Sequence, residues 1–275
     1  MDWSEFEDLA RRISRGEHTP ASPRDASTVV LLREAPGGPE AYLLRRVKGM
    51  AFAGGFHVFP GGSVDLDDED AEIGWAGPSP AQWGEWFGAS PELARALVCA
   101  AVRETFEESG VLLAGESAEH LLEDVSSDEW EAEREALEAR EQSLSQLLAR
   151  RGLVLRTDLL RPFAHWITPE VEPKRFDTRF FLAEMPQGQV CRHVGSEADE
   201  RLWVRPADAL DQQLQMLPPT QDSLTRLAAY SSVAEALADT RQVTLVAPKL
   251  VVLPDDSVKF VVPGDSDYPT DHPAT

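Results

Sequence analysis

Glu104, Glu107 and Glu108 stand within five positions of one another in the stretch CAAVRETFEESGVLLAG, residues 99–115. Spacings of three and four put all three carboxylates on one side of a helix, where like charges repel by about 0.2–0.5 kcal/mol per pair. A solvated acidic face is the plainer reading of such a cluster. A divalent cation would turn the same repulsion into ligation, and hard oxygen donors suit Mg²⁺ or Mn²⁺. The neighbours favour ligation: Arg103 precedes the first glutamate, Gly110-Val111 follows the last, and an FPGG loop (59–62) lies upstream.

The elements that must position these groups can be read around them. Ser90-Pro91-Glu92 is a helix start, with a hydroxyl cap, a proline at the first helical position and an acid near the positive end of the dipole. Gly110 is the matching stop. Between them Val98, Cys99, Val102 and Phe106 recur at helical spacing, so the pattern predicts a helix over 91–109 with its apolar side opposite the glutamates.

Arg103-Glu104-Thr105-Phe106-Glu107-Glu108-Ser109-Gly110-Val111 resembles the second half of the Nudix box, R-E-U-x-E-E-x-G-U, with Thr105 where an aliphatic residue is usual. In that family the box opens at the second glycine of a PGG turn, here Gly62; a glutamate follows six residues later and the arginine eight after that. In this chain Asp68 stands six after Gly62, and Arg103 follows only after a long insertion. The box is therefore split, and Asp68, Glu69 and Glu92 are all open as stand-ins for the loop glutamate. The resemblance implies that Glu104, Glu107 and Glu108 hold one or more divalent ions against a diphosphate. It implies that Gly62, Arg103 and Gly110 are structural, with Arg103 fixing the box loop through an ion pair. Water activated by metal or by a further carboxylate would then attack phosphorus, with Glu107 and Glu108 the catalytic candidates on the helix. Glu197, in GSEADERLWV, is the preferred outer base, with Glu200 as its rival; both could equally face solvent at a strand edge.

Composition bounds what else the chain can be. Its 275 residues suit one large domain, and a formal net charge of −22 excludes a nucleic-acid-coating surface, which needs a basic stripe. No apolar run is long enough to span a membrane, and no signal peptide is evident. Cys99 and Cys191 form no disulfide framework and read as thiols in a reducing cytoplasm.

Strand patterns cover 26–34 and 40–47, joined by APGGP as a hairpin, and a short strand leads into FPGG. Further strands fall in LLRPFAHWIT, RFDTRFFLAEM and DERLWVRP. Helices fall in PADALDQQL and in TQDSLTRLAAYSSVAEALAD, and a final hairpin turns at Asp255-Asp256. The expectation is a single domain over 1–275 of class α/β, a Nudix-type α/β/α sandwich with a mixed β-sheet. Its core is expected at about 25–62, 90–113 and 158–215. Insertions are expected at about 63–89 and 116–155, the second a charged helical pattern acting as lid or packing helix. A helix and hairpin at about 220–263 and a disordered tail at 264–275 complete it.

Arg46, Arg175 and Arg179 are candidate diphosphate contacts; ion pairing with the many acids is the bland alternative. Trp75, Trp83 and Trp86 could stack on a base, though burial against the sheet is the simpler role. His57, His165 and His193 read as structural. The split box, the helical insertion and the run WITPEVEPKRFDTRFFLAE resemble the peroxisomal-type coenzyme A diphosphatase branch and its bacterial relatives. The chain meets that activity's signature before FPGG at Gly55 and Arg46 and departs from it at Ala51 and Val47. The resemblance implies hydrolysis of coenzyme A or an acyl-CoA. The alternatives are a nucleotide-sugar, dinucleotide or nucleoside-triphosphate pyrophosphatase, and a non-catalytic nucleotide sensor. A small-molecule diphosphate is the expected partner, with a homodimer as a further expectation.

Overall fold

The computed structural model describes residues 3–50, 53–69, 72–192 and 197–269. The sequence predicts one domain; the contacts of the chain fall into two compact units, a smaller one of 1–25, 165–178 and 244–275 and a larger one of 26–164 and 179–243. Ala51, His193 and residues 270–275, for which the sequence raises expectations, lie outside the described residues.

The chain opens with helix α1 (Trp3–Ser14) and strands β1 (Arg24–Ala35) and β2 (Gly38–Arg46). The last two form the expected antiparallel hairpin, with Leu32 opposite Ala41 and Ala35 opposite Gly38. Two short strands follow, β3 (His57–Val58) beside β2 and β4 (Gly61–Ser63) beside β1, then a 3₁₀ turn at Leu66–Glu69. The first insertion contributes β5 (Trp75–Ala76) and α2 (Pro80–Phe87).

Helix α3 runs from Pro91 to Ser109, with the bounds expected from sequence. The Ser90 hydroxyl accepts the Leu93 N–H at 3.2 Å, and Gly110 ends the helix at φ 73°. Val98, Cys99, Val102 and Phe106 are buried, in one core with Val29, Leu31, Tyr42 and Leu44 of the sheet. Trp83 joins this core at 0% exposure, stacked on Phe87 and tilted against Phe181, so it is packing and not a base platform. Trp75 donates to the Pro78 carbonyl and carries Arg95 over its ring.

After β6 (Ala114–Gly115), the second insertion holds two helices where sequence suggests one, α4 (Asp128–Glu138) and α5 (Leu144–Arg151). Arg140 breaks the run at φ 58°, and Ser143 with Gln146 restarts it through a reciprocal capping box. Leu137, Leu144, Leu147 and Leu148 are buried in the core, so these are packing helices. Strand β7 (Val154–Arg156) then pairs with β5 on one side and β6 on the other.

Strands β8 (Leu160–Ile167), β9 (Phe176–Glu184) and β10 (Ala198–Val204) complete the main sheet, in which the order is β10-β2-β1-β9-β8. The helical run after it is again two pieces, α7 (Pro218–Leu227) and α8 (Val233–Ala238), preceded by α6 (Pro206–Asp211). The break falls where the Ser232 hydroxyl caps a new start by accepting the Glu235 N–H at 3.1 Å.

In the smaller unit β11 (Leu245–Val246) runs parallel to β8 at His165 and Trp166. Strands β12 (Lys249–Val252) and β13 (Val258–Val261) form the expected hairpin, turning through Asp256 at φ 65°. Residues 264–269, expected to be disordered, are held instead: Tyr268 donates to the Ala247 carbonyl at 2.9 Å, and Lys259 pairs with Asp267 at 2.6 Å.

Candidate active site

Glu104 and Glu108 of α3 lie against the glycine turn of β4. The Gly61 N–H donates to Glu108 Oε2 at 2.8 Å. A Cβ added to Gly62 would lie 2.3 Å from Glu104 Oε1, so glycine is required for the carboxylate to lie against the turn. Arg103 ties the other side of the loop. Its Nε and Nη2 grip Asp68 Oδ1 and Oδ2 at 2.9 and 2.8 Å, and Nη2 also donates to the Ser63 carbonyl at 3.0 Å.

Of the three carboxylates that sequence leaves open, Asp68 is the one that meets Arg103. Asp68 is 2% exposed and pairs in a two-pronged fork, whereas Glu69 and Glu92 are exposed. The two halves of the split box, 35 positions apart between these residues, are thus rejoined by a buried ion pair.

The remaining donors of Arg103 go to the metal candidates. Its Nη1 reaches Glu104 Oε1 at 2.8 Å and Glu107 Oε2 at 3.3 Å. One guanidinium does not offset this much half-buried acid. Burial raises the Glu104 carboxyl, against the lowering pull of Arg103. Burial, then repulsion by Glu104, pushes Glu107 up to about 7. Burial and Glu104 likewise push Glu108 up to about 8, opposed by the Gly61 N–H and Arg46.

The donor set is therefore hard, oxygen-only and short of positive charge, which fits Mg²⁺ or Mn²⁺. Among the described residues no three carboxylates yet converge as a cage, because Glu104 and Glu107 turn oxygens toward Arg103.

Two further candidates flank this cluster. Arg46 Nη2 bonds Glu197 Oε2 at 3.1 Å, and the charges of both act on Glu108. The Val47 N–H holds the Glu197 carbonyl at 2.9 Å, just before β10 begins. Arg46 Nε is buried with no hydrogen-bond partner among the described residues. Glu200 is engaged elsewhere, 2.7 Å from Arg45 and 3.8 Å from His57.

The other two arginines are placed differently from the expectation of an open clamp. Arg175 stands before β9 in the smaller unit and donates to the carbonyls of Thr168 and Ala21 at 3.0 and 2.7 Å. Arg179 is 5% exposed, sealed in the larger unit on the same side of β9 as Phe181. His165 pairs with Asp177 at 2.5 Å, and His57 Nδ1 lies 3.3 Å from the Gln215 carbonyl. Burial pushes the Cys191 thiol up to about 12, which removes it as a nucleophile.

Sequence reasoning missed Arg134, on the second insertion, which bonds the Glu107 carbonyl at 3.1 Å. Its signal is present only as acids three before and four after it, Glu131 and Glu138.

A mixed sheet flanked by helices, with a glutamate-bearing helix pinned to a glycine turn by an arginine, is the arrangement of a Nudix pyrophosphohydrolase. Residues 87–227 match the NUDT19 Nudix domain, and the chain belongs to that family. It is 28% identical to the acyl-coenzyme A diphosphatase NUDT19 of Gallus gallus, over 90% of this chain and 80% of that protein. With the protein of the same name from Xenopus laevis it shares 24% identity, over 84% of this chain and 72% of the relative. The crystal structure of a Nudix hydrolase from Alicyclobacillus acidocaldarius superposes with a TM-score of 0.67 at 28% identity, over 82% of this chain and 99% of that one. Nudix hydrolases generally use divalent metals. No described helix is long and apolar enough to cross a membrane.

Proposed function

We propose that the chain hydrolyses the diphosphate of coenzyme A or an acyl-CoA, giving 3′,5′-ADP and a 4′-phosphopantetheine product. The observation that carries the reaction is the placing of half-buried Glu104 and Glu108 against Gly62 and Gly61, beside Arg46 and Glu197. The acyl-coenzyme A diphosphatase name of the two curated relatives supports the substrate.

In this reading Glu104, Glu107 and Glu108 hold Mg²⁺ or Mn²⁺. Bound there, the ion neutralises non-bridging oxygens and lowers the pKa of water. Glu197 takes the proton of the attacking water, and Arg46 donates its unused N–H to a diphosphate oxygen. Water oxygen bonds to phosphorus as the bridging P–O bond breaks and its electron pair leaves on the departing phosphate. Asp68 and Arg103 keep loop and helix in register throughout and touch no reacting atom.

A cytoplasmic address belongs to the same proposal and accords with two free thiols, Cys99 and Cys191. A homodimer, checked by sedimentation, completes it. The departures from the coenzyme A signature at Ala51 and Val47 make nucleotide sugars and dinucleotides the competitors to measure. Mass spectrometry of products from coenzyme A, acyl-CoAs, ADP-ribose and dinucleotides tests the reading. Coenzyme A or a short acyl-CoA is expected to have the highest kcat/KM; a much higher value for ADP-ribose overturns the substrate and leaves the hydrolase intact.

A further inference from the structure

The second insertion reaches the end of α3 with a buried arginine, besides Trp130, whose ring lies edge-on to Phe106 at 6.3 Å. Arg134 of α4 has a side chain only 3% exposed, and its Nη1 donates to the Glu107 carbonyl at 3.1 Å. Glu131 and Glu138, one turn to either side, hold the same guanidinium at 2.7 Å each, so its direction is set. Glu131 also accepts from Arg192 Nη1 at 2.7 Å. Arg192 lies over Gly110, where an added Cβ would meet its Nε at 2.8 Å, and its backbone N–H donates to the Ser109 carbonyl at 2.9 Å.

The last turn of a helix leaves carbonyls without intrahelical partners, and its negative dipole end disfavours nearby acid. Here Gly110 N–H takes the Phe106 carbonyl, Arg134 the Glu107 carbonyl and Arg192 the Ser109 carbonyl. Two of these three donors come from outside the box, and two are residues of positive charge. Arg140, in the break just after α4, pairs with Asp65 of the box loop at 3.1 Å.

We propose that α4 is a splint for the interrupted box and that Arg134 is a positioning residue that fixes the backbone from which Glu107 and Glu108 reach the cation. The proposal rests on the metal reading given above.

Binding of Mn²⁺ to the full chain, followed by the EPR signal of the free ion, is measured for wild type, Arg134→Lys and Arg134→Gln. Hydrogen exchange of the amides at 109–111 is measured alongside. Arg134→Gln is expected to raise the Mn²⁺ Kd about tenfold, as losses of outer-shell partners do, and to speed exchange at those amides. At saturating metal it should lower kcat with little change in KM, and Arg134→Lys should fall between. Wild-type Mn²⁺ affinity and exchange in folded Arg134→Gln overturn the splint. If that variant does not fold, Arg134→Lys, which keeps the charge but not the fork, takes its place, and wild-type affinity and exchange there overturn the splint equally. A wild type that binds no Mn²⁺ removes the metal reading and the splint together. A wild type that binds while the Arg134 variants are unaltered removes the splint alone.

Discussion

Gly61 donates its backbone N–H to Glu108 Oε2 at 2.8 Å, which ties the turn before the box loop to the last glutamate of α3. The bond holds an acid that burial and Glu104 push up to about 8, in the position where the proposed cation would accept its charge. Substituting the acid should therefore affect chemistry well before it affects the fold. Glu107→Gln or Glu108→Gln is expected to lower kcat by a factor on the order of 10²–10⁴. EDTA should abolish wild-type activity, with Mg²⁺ or Mn²⁺ restoring it. Full turnover by either folded variant would refute the metal role.

The two glycines of the turn should separate stability from activity. At Gly61 a Cβ would meet the Ser27 carbonyl oxygen at 2.5 Å and the Thr28 Cα at 2.8 Å, so backbone must shift. At Gly62 it would meet the far end of the Glu104 side chain, which can swing away. Gly61→Ala should cost about 1–3 kcal/mol of stability by overpacking. Gly62→Ala should melt closer to wild type and lose most of its activity, as paired melts and kcat values would reveal.

Asp68 is buried against Arg103, and deleting one member of a buried ion pair costs roughly 3–5 kcal/mol. Asp68→Ala should show a loss of that order in urea unfolding, while Glu69→Ala, at an exposed position, should be near neutral. Equal effects of the two would mean that the fork to Arg103 is not what closes the loop.

Glu197 and Glu200 are distinguished by their partners. Glu197 sits with Arg46 beside Glu108, whereas Glu200 is 2.7 Å from Arg45. Glu197→Gln should depress kcat with little change in KM, since the loss is felt in the transition state. Glu200→Gln should be mild. The reversed pattern would assign water activation to Glu200.

The raised carboxyls also set a pH dependence for the metal-free protein. Glu107 and Glu108 bind protons in the fold up to about 7 and about 8, against an ordinary value of 4.5. Between the ordinary value and those raised values the folded chain carries more protons than the unfolded one, so stability falls as pH rises. Tm without metal should drop from pH 5 to pH 8, and added Mn²⁺ should raise it more at pH 8 than at pH 6. A flat metal-free profile would indicate that the carboxylates are not buried against one another in solution.

What could be read from sequence was what short-range chemistry dictates. Ser90, Pro91 and Gly110 delimit α3 because capping, a fixed φ and a left-handed stop act within a few residues. The hairpins β1–β2 and β12–β13 were legible for the same reason. The choice of Asp68 over Glu69 and Glu92 was not, since only burial beside Arg103 distinguishes them. Arg175 and Arg179 look alike on paper, yet one binds main-chain carbonyls and the other is sealed inside. The breaks in the two long helical runs are marked faintly, by Ser143 with Gln146 and by Ser232, and helical periodicity conceals them.

The small sheet formed by β5, β7 and β6 joins the first insertion, the end of the second and the chain just after α3 in one ladder. β7 is its centre, bonded at Leu155 to Trp75 on one side and to Ala114 on the other. Removing either insertion by itself would strip a partner from that ladder and present an open strand edge, the kind of surface on which other chains aggregate. A minimal version of this enzyme cannot be reached by trimming one interruption at a time; both must be cut in a single design, with the exposed strand re-covered.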